Sequence, residues 1–432
     1  MHRKYGDIVR VGPDAISYCT SAAWKEIYGF RKDGKFYKDP LSYIAPPNGV
    51  PALLSANDEN HSRFRRTFSH AFSDRALKEQ EPVFKQYLDL LVQKLNEMAA
   101  DPDAKINMVN MLNFTTFDIM ADLTFGKPLG MLAKAEYHPW VTATFSALKF
   151  GTYMRALRNF PLLALLSGFI VPRSLKRKRL EHFRWSSEQV DARLERKSDK
   201  PDIWNFVLAA DESRALTLDE MHSNGSLFMA AGTETTATEL SGTLYLLATH
   251  PAARKHLTDE LHAAFPAGAP LTMEGLARCK YLHAVLEEGL RVYPPVPAGL
   301  PRVVPSPQGV VLGAVLPGET RVFLSQYAAY HSPRNFADPD SYQPERWLAA
   351  GHPLHDARFD TDDKAALQPF SVGPRNCIGK NLAYHEMKLV LAALMLNFEF
   401  ELCDESRNWT DQKMFALWEK KPLMMKVKAV KA

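Results

Sequence analysis

The stretch FSVGPRNCIG, Phe370 to Gly379, places one thiol among two glycines, a proline and an arginine. Apolar positions at helical spacing follow from Ile378 to Asn397, so Cys377 lies at or beside a helix N-terminus. Unpaired backbone N–H groups and the positive end of the dipole favour an anion there, which for a cysteine is the thiolate. Gly373 and Gly379 let the backbone approach a flat ligand closely, or take torsions that other residues resist. Phe370 would screen the sulfur from water, and Arg375 offers a bidentate donor to a carboxylate. Cys377 alone reads as a buried cysteine in a turn. The full order F-x-x-G-x-R-x-C-x-G outweighs that reading.

Around this stretch the chain has an ordinary globular composition. It has 432 residues, 46% hydrophobic and 24% charged, with a formal net charge of +4. So mild a charge, with no aromatic–basic stripe or zinc-finger spacing, argues against nucleic acid as a partner. Four cysteines, Cys19, Cys279, Cys377 and Cys403, occur without a C-x-x-C pair. They suit a reducing compartment and exclude metal ligation by paired cysteines, though not by a single one.

Two β-type runs, DIVRV and AISYC, open the chain on either side of the turn Gly12-Pro13-Asp14. TSAAWKEIYG predicts a short helix closed by Gly29. From about residue 57 helical periodicity dominates, and Phe84, Leu88, Leu91, Leu95 and Met98 share one face of a long amphipathic helix. In TLDE, Thr217 and Glu220 form a capping box that opens a helix running to His250, before Pro251. Prolines, glycines and β-branched residues between Pro294 and Pro344 predict strands and turns. FEFEL and MFALWEKKPLMMKV predict further extended runs, the latter hairpin-like. Nothing in the sequence divides the chain, so the expectation is a single, mainly α domain with minor β over residues 1–432.

MHRKYGDIVRV carries neither a signal peptide nor a transmembrane segment. FPLLALLSGFIV, Phe160 to Val171, is the most lipid-like stretch. As a helix it would be roughly 18 Å long against a hydrocarbon core of about 30 Å, too short to span. RSLKRKR follows it, so the segment reads either as interfacial or as a buried helix with a solvated basic turn.

Two further patterns carry chemistry. AAGTETTAT, residues 230–238, puts Gly232 and four threonines inside a strong helix, a local weak spot or a groove where another helix crosses. EEGLR sets Glu288 and Arg291 three apart on one helical face, by default a solvent ion pair.

FSVGPRNCIG resembles the haem-binding motif of the cytochromes P-450, and the likeness extends over essentially the whole chain. PFSVGPRNCIGKNLAYHEMKL and HSRFRRTFSHAFSDRALKEQEP make it most similar to fungal microsomal members that tailor secondary metabolites. The resemblance implies the cytochrome P-450 fold, with haem b between a long distal helix and a proximal loop and helix bearing the cysteine. Cys377 is then the thiolate ligand of the iron, where sulfur favours O–O cleavage. The helix carrying Ala231 and Gly232 would open over the haem, and Glu234 with Thr235 would match an acid–alcohol pair that relays protons into a dry pocket. Glu288 and Arg291, with Arg346 of PERW, would form a buried structural cluster. In HSRFRR, His61 and Arg65 fall on one helical face and would meet the haem propionates, joined by Arg302 and Arg375.

The resemblance also implies a substrate pocket walled by Tyr37 to Ala56, Phe145 to Ile170, Gly225 to Thr235, Val296 to Leu300 and Phe415 to Trp418. These segments are poor in charge, which suits an apolar, bulky substrate such as a terpenoid, polyketide or alkaloid. The chain has no recognisable nucleotide-binding loop. Electrons would come from NADPH through a separate NADPH-cytochrome P-450 reductase, with cytochrome b5 as a second donor, at the cytosolic face of the endoplasmic reticulum. Arg63, Arg66 and Lys380 would suit an acidic partner, although a solvated helix surface accounts equally for the first two. A monomer is expected. The membrane anchor and first helix usual in such members are missing from the sequence. The expected activity is monooxygenation, chiefly hydroxylation. The alternatives are an isomerase or dehydratase that uses no dioxygen, which would lack the acid–alcohol pair, and a haem-binding carrier or sensor, which would not consume NADPH with a reductase.

Overall fold

The computed structural model describes residues 1–31, 35–43, 45–160, 171–196, 200–208 and 215–430, without the side chains of 142–144 and 147–148. Most of the lipid-like stretch from Phe160 to Val171 thus lies outside the described residues. The helices that carry functional residues are α1 (Ala22–Tyr28), α2 (Asp58–Phe68), α3 (Asp74–Met98), α4 (Met108–Phe125), α5 (Pro139–Arg158), α6 (Arg173–Glu195), α7 (Leu218–Thr249), α8 (Lys280–Val292) and α9 (Lys380–Asn397). The strands that frame them are β1 (Ile8–Gly12), β2 (Ala15–Tyr18), β3 (Tyr37–Lys38), β4 (Ile106–Asn107), β5 (Arg302–Val303), β6 (Arg321–Leu324), β7 (Phe398–Leu402) and β8 (Met424–Ala429). The fold is mainly α with small sheets. Among the described residues no helix is long and apolar enough to cross a membrane.

Two compact units emerge. The first comprises Met1–Ser42, Gly242–Cys377 and Ala416–Trp418. Its sheet has the order β1-β2-β6-β5-β3. The predicted turn after Gly12 folds β1 antiparallel onto β2, and β2 runs parallel to β6 with Ala15 opposite Arg321. Trp24, Ile27 and Tyr28 of α1 pack with Tyr18, Val322 and Leu324 in its core. Arg302 sits on β5 between Val322 and Lys38 of the flanking strands, so its backbone is fixed on both sides.

The second unit comprises Tyr43–Ser241, Ile378–Phe415 and Glu419–Ala432. In α3 the predicted face is buried at Phe84, Leu88, Leu91 and Leu95, while Met98, at the frayed end, is exposed. Nearly every residue of α4 is buried, which makes it the central helix of this unit. The capping box opens α7 as the sequence predicts. Thr217 N–H donates to Glu220 Oε2 at 2.9 Å, and Glu220 N–H to Thr217 Oγ1 at 3.3 Å. One prediction changes form. The MMKV segment, in β8, pairs antiparallel with β7 and β4 and not as half of a local hairpin. That register sets Met425 and Val427 opposite Leu402 and Phe400, so the apolar alternation of both strands falls on one buried face.

Candidate active site

Cys377 ends a loop that its own backbone closes. Cys377 N–H donates to the Phe370 carbonyl at 2.8 Å, and Asn376 N–H to the Gly373 carbonyl at 3.2 Å. Gly373 has φ +77°, and a β-carbon there would lie 2.1 Å from the Tyr28 carbonyl oxygen. The close approach this glycine permits is thus to the chain's own backbone. Gly379 has φ −88°, which any residue adopts. Helix α9 begins at Lys380, so Cys377 precedes the helix and does not open it. Phe370 and Arg375 are half-buried. None of the four cysteines is in a disulfide, and Cys377 is the exposed one. Burial pushes the Cys19 thiol up to about 12 and raises Cys403 as well, which disfavours a thiolate at either.

Helix α7 runs unbroken through 230–238, so the expected opening is absent. The threonines do not compete with the helical ladder, because they bond back to it. Thr233 Oγ1 donates to Met229 O at 2.6 Å, Thr235 Oγ1 to Ala231 O at 2.7 Å, and Thr236 Oγ1 to Gly232 O at 3.3 Å. Gly232 marks a helix crossing, since a β-carbon there would lie 2.7 Å from Met120 Cε of α4. Ala231, Gly232 and Thr235 form the accessible face of the helix here, whereas Glu234 is only 4% exposed. Consecutive helical residues do not face each other. Glu234 points to Lys420, whose Nζ lies 2.8 Å from Glu234 Oε1. The acid and the alcohol are therefore neighbours in sequence without being hydrogen-bonded. Lys420 carries no local motif, and the sequence reading missed it.

In the first unit, Glu288, Arg291 and Arg346 meet with none of their side chains exposed. Arg291 Nε and Nη2 donate to the two Glu288 oxygens at 2.8 and 2.7 Å, and Arg346 Nε donates to Oε1 at 3.0 Å. The Gln343 amide and Trp347 Nε1 complete the carboxylate, each at 2.9 Å. Burial alone would raise Glu288, but the two guanidiniums hold it below the usual carboxylate range. Arg346 also pairs with Asp362, a further partner that sequence spacing did not indicate.

Of the cations expected at propionates, His61 and Arg65 lie one turn apart on α2, His61 buried and Arg65 half-buried. Arg302 is 4% exposed, with its guanidinium 5.2 Å from the centroid of the Tyr28 ring. Its Nη1 is buried without a hydrogen-bond partner. An unpaired buried guanidinium nitrogen is costly, and a carboxylate is the group that would satisfy it. The donor set therefore fits a haem propionate. Arg63 is not a free docking cation. It donates to Glu220 Oε2 at 3.1 Å and to the Ala215 carbonyl at 3.2 Å, because it faces the acidic first turn of α7.

The family model for cytochrome P-450 matches residues 1–427. The cytochrome P-450 monooxygenase efuB of Hormonema carpetanum is 45% identical over 433 residues, covering 99% of this chain and 85% of its own. The monooxygenase FUM2 of Gibberella moniliformis is 46% identical over 430 residues, covering 98% and 90%. The monooxygenase astJ of Aspergillus oryzae is 38% identical, covering 99% and 85%. A helical fold with a cysteine-bearing loop thus has counterparts along nearly the whole of this chain among cytochrome P-450 monooxygenases. The chain belongs to the cytochrome P-450 family. It is a monooxygenase, and membership implies a haem, a small-molecule substrate and a redox partner.

Proposed function

We propose that the chain, acting as one catalytic domain, inserts an oxygen atom into an apolar, bulky secondary metabolite of terpenoid, polyketide or alkaloid type, chiefly by hydroxylation. Electrons come from NADPH through a separate reductase, with cytochrome b5 as a second donor, at the cytosolic face of the endoplasmic reticulum. The support is the charge-poor composition of the wall segments and the fungal origin of the similar monooxygenases.

Bound haem b supplies the activation of dioxygen and the oxidising power. Cys377 holds it through sulfur, and the Cys377–Phe370 backbone bond fixes the loop beforehand. Arg302 and Arg375, and separately His61 and Arg65, would supply cations to the haem propionates, Arg302 with an otherwise unpartnered nitrogen. Thr235 spends its hydroxyl proton on the Ala231 carbonyl, so its oxygen is available as an acceptor beside Ala231 and Gly232. Glu234 takes up and returns protons on the buried side of the same helix turn. The Glu288–Arg291–Arg346 cluster holds α8 against the 344–347 turn. The observation that carries the reading is the exposed thiol of Cys377 at the end of a backbone-closed loop. Cys377→Ala should abolish the strongly red-shifted carbon monoxide band of the reduced protein, and a retained band would refute the ligand assignment.

A further inference from the structure

We propose that Lys420 is a positioning residue for oxygen activation: it keeps Glu234 ionised on the buried side of α7, with one carboxylate oxygen committed and the other reserved for an incoming proton. The inference rests on the reading that Glu234 handles protons, and it deepens that reading.

The contacts of Lys420 suit an ammonium group. Lys420 Nζ lies 2.8 Å from Glu234 Oε1, 3.0 Å from Thr238 Oγ1 and 3.2 Å from Asn113 Oδ1. Three acceptors match the three protons of an ammonium group. Asn113 cannot present its amino group instead, because Nδ2 donates to the Tyr137 hydroxyl at 2.7 Å. That hydroxyl donates onward to Asn110 Oδ1 at 3.1 Å. Thr238 Oγ1, which accepts from Lys420, donates in turn to Glu234 Oε1 at 3.5 Å. The segment is also anchored beside the pair, for Glu419 is ion-paired with Lys149 of α5.

Glu234 differs from Glu288 of the structural cluster in its second oxygen. Both oxygens of Glu288 are bonded, whereas Glu234 Oε2 is buried without a partner. A buried carboxylate oxygen without a donor is costly, and a proton would satisfy it. Burial pushes Glu234 up and Lys420 down, and the charge of each opposes the shift of the other. Tyr137 also faces the pair from the 135–138 turn, but burial pushes it up to about 12, so it stays neutral. Without Lys420 the long hydrogen bond from Thr238 would be left to oppose burial, the largest influence, and Glu234 would hold its proton.

Infrared difference spectra of the haem-loaded protein at pH 8 test this, with Glu234→Gln used to assign the Glu234 carboxyl stretch. The wild type should show no Glu234-dependent protonated-carboxyl band. Lys420→Met should gain one, lose it again in the Lys420→Met/Glu234→Gln double variant, and yield severalfold less product per NADPH with more peroxide. Lys420→Arg should stay near the wild type in both readouts. A protonated band already present in the wild type would overturn the proposal without any Lys420 variant. If Lys420→Met does not fold, Asn113→Ala should raise the pH midpoint of the Glu234 band, and an unmoved midpoint would also overturn it. The two readings fail separately. Unchanged coupling in Glu234→Gln and Thr235→Ala would remove the proton-handling role itself. Lowered coupling in those variants, with Lys420→Met unchanged in band and yield, would remove only the role of Lys420.

Discussion

A β-carbon at position 373 would sit 2.1 Å from the Tyr28 carbonyl oxygen, on a residue already at φ +77°. For an L-residue the left-handed torsion costs roughly 1–2 kcal/mol before the clash is counted. Gly373→Ala should therefore displace the loop from α1, lower the denaturant midpoint, and reduce the fraction of protein giving the red-shifted carbon monoxide band. Gly379 has φ −88° and gives up no allowed torsion on gaining a side chain. Gly379→Ala should retain the band. Equal damage at both positions would mean that both glycines make room for the ligand, which is the reading the motif alone suggests. Spacing treats the two glycines alike, while the torsions separate them.

Helix α8 delivers Glu288 and Arg291 to one spot because residues three apart share a face, and the 344–347 turn brings Arg346 to the same carboxylate. Removing one member of a buried, bonded cluster leaves an uncompensated charge, at a cost of about 3–5 kcal/mol. Arg346→Ala leaves buried Asp362 without its guanidinium and Glu288 with one guanidinium in place of two, and should lower stability by about that amount in chemical unfolding. A loss below about 1 kcal/mol would mark the cluster as no more than a solvated ion pair. These elements show what the sequence could carry. The capping box of Thr217 and Glu220, the buried face of α3 and the β1–β2 turn are local patterns, written within a few residues, and they were legible. Asp362 on Arg346, Met120 in the notch at Gly232 and Lys420 on Glu234 are contacts between distant segments with no periodicity to announce them. The threonine back-bonds that keep α7 continuous were missed for a different reason. The same residues weaken a helix by propensity and complete it by hydrogen bonding, and only geometry decides between the two.

At the scale of the whole chain, several titratable groups are held away from their ordinary charge states, and their balance sets the response to acid. His182, His331 and His385 are each pushed down to about 4, chiefly by burial. None can gain a proton cheaply. His182 is hydrogen-bonded to Ser226 at 2.9 Å, His331 Nδ1 lies 3.0 Å from the Tyr327 carbonyl, and His385 Nε2 is buried without a partner. In the unfolded chain these imidazoles protonate near their ordinary value of about 6.5. Between about pH 6.5 and 4 the unfolded state therefore binds protons that the native state refuses. Each histidine then removes stability with a limiting slope of about 1.4 kcal/mol per pH unit as pH falls. Glu386, Glu234 and Asp118, raised by burial, act with the opposite sign: their native pKa lies above the unfolded one, so they favour the native state as pH falls toward the ordinary carboxylate range. Burial lowers His138 as well, so four imidazoles refuse protons against at most three carboxyls that retain them, and the denaturant midpoint should fall from pH 7 to pH 5. His182→Gln, which keeps a polar partner for Ser226, should flatten that dependence by one proton's slope. A midpoint that rises on acidification would show that the buried carboxyls outweigh the imidazoles, and that Glu386, Glu234 and Asp118 hold their protons more firmly than the four histidines resist theirs.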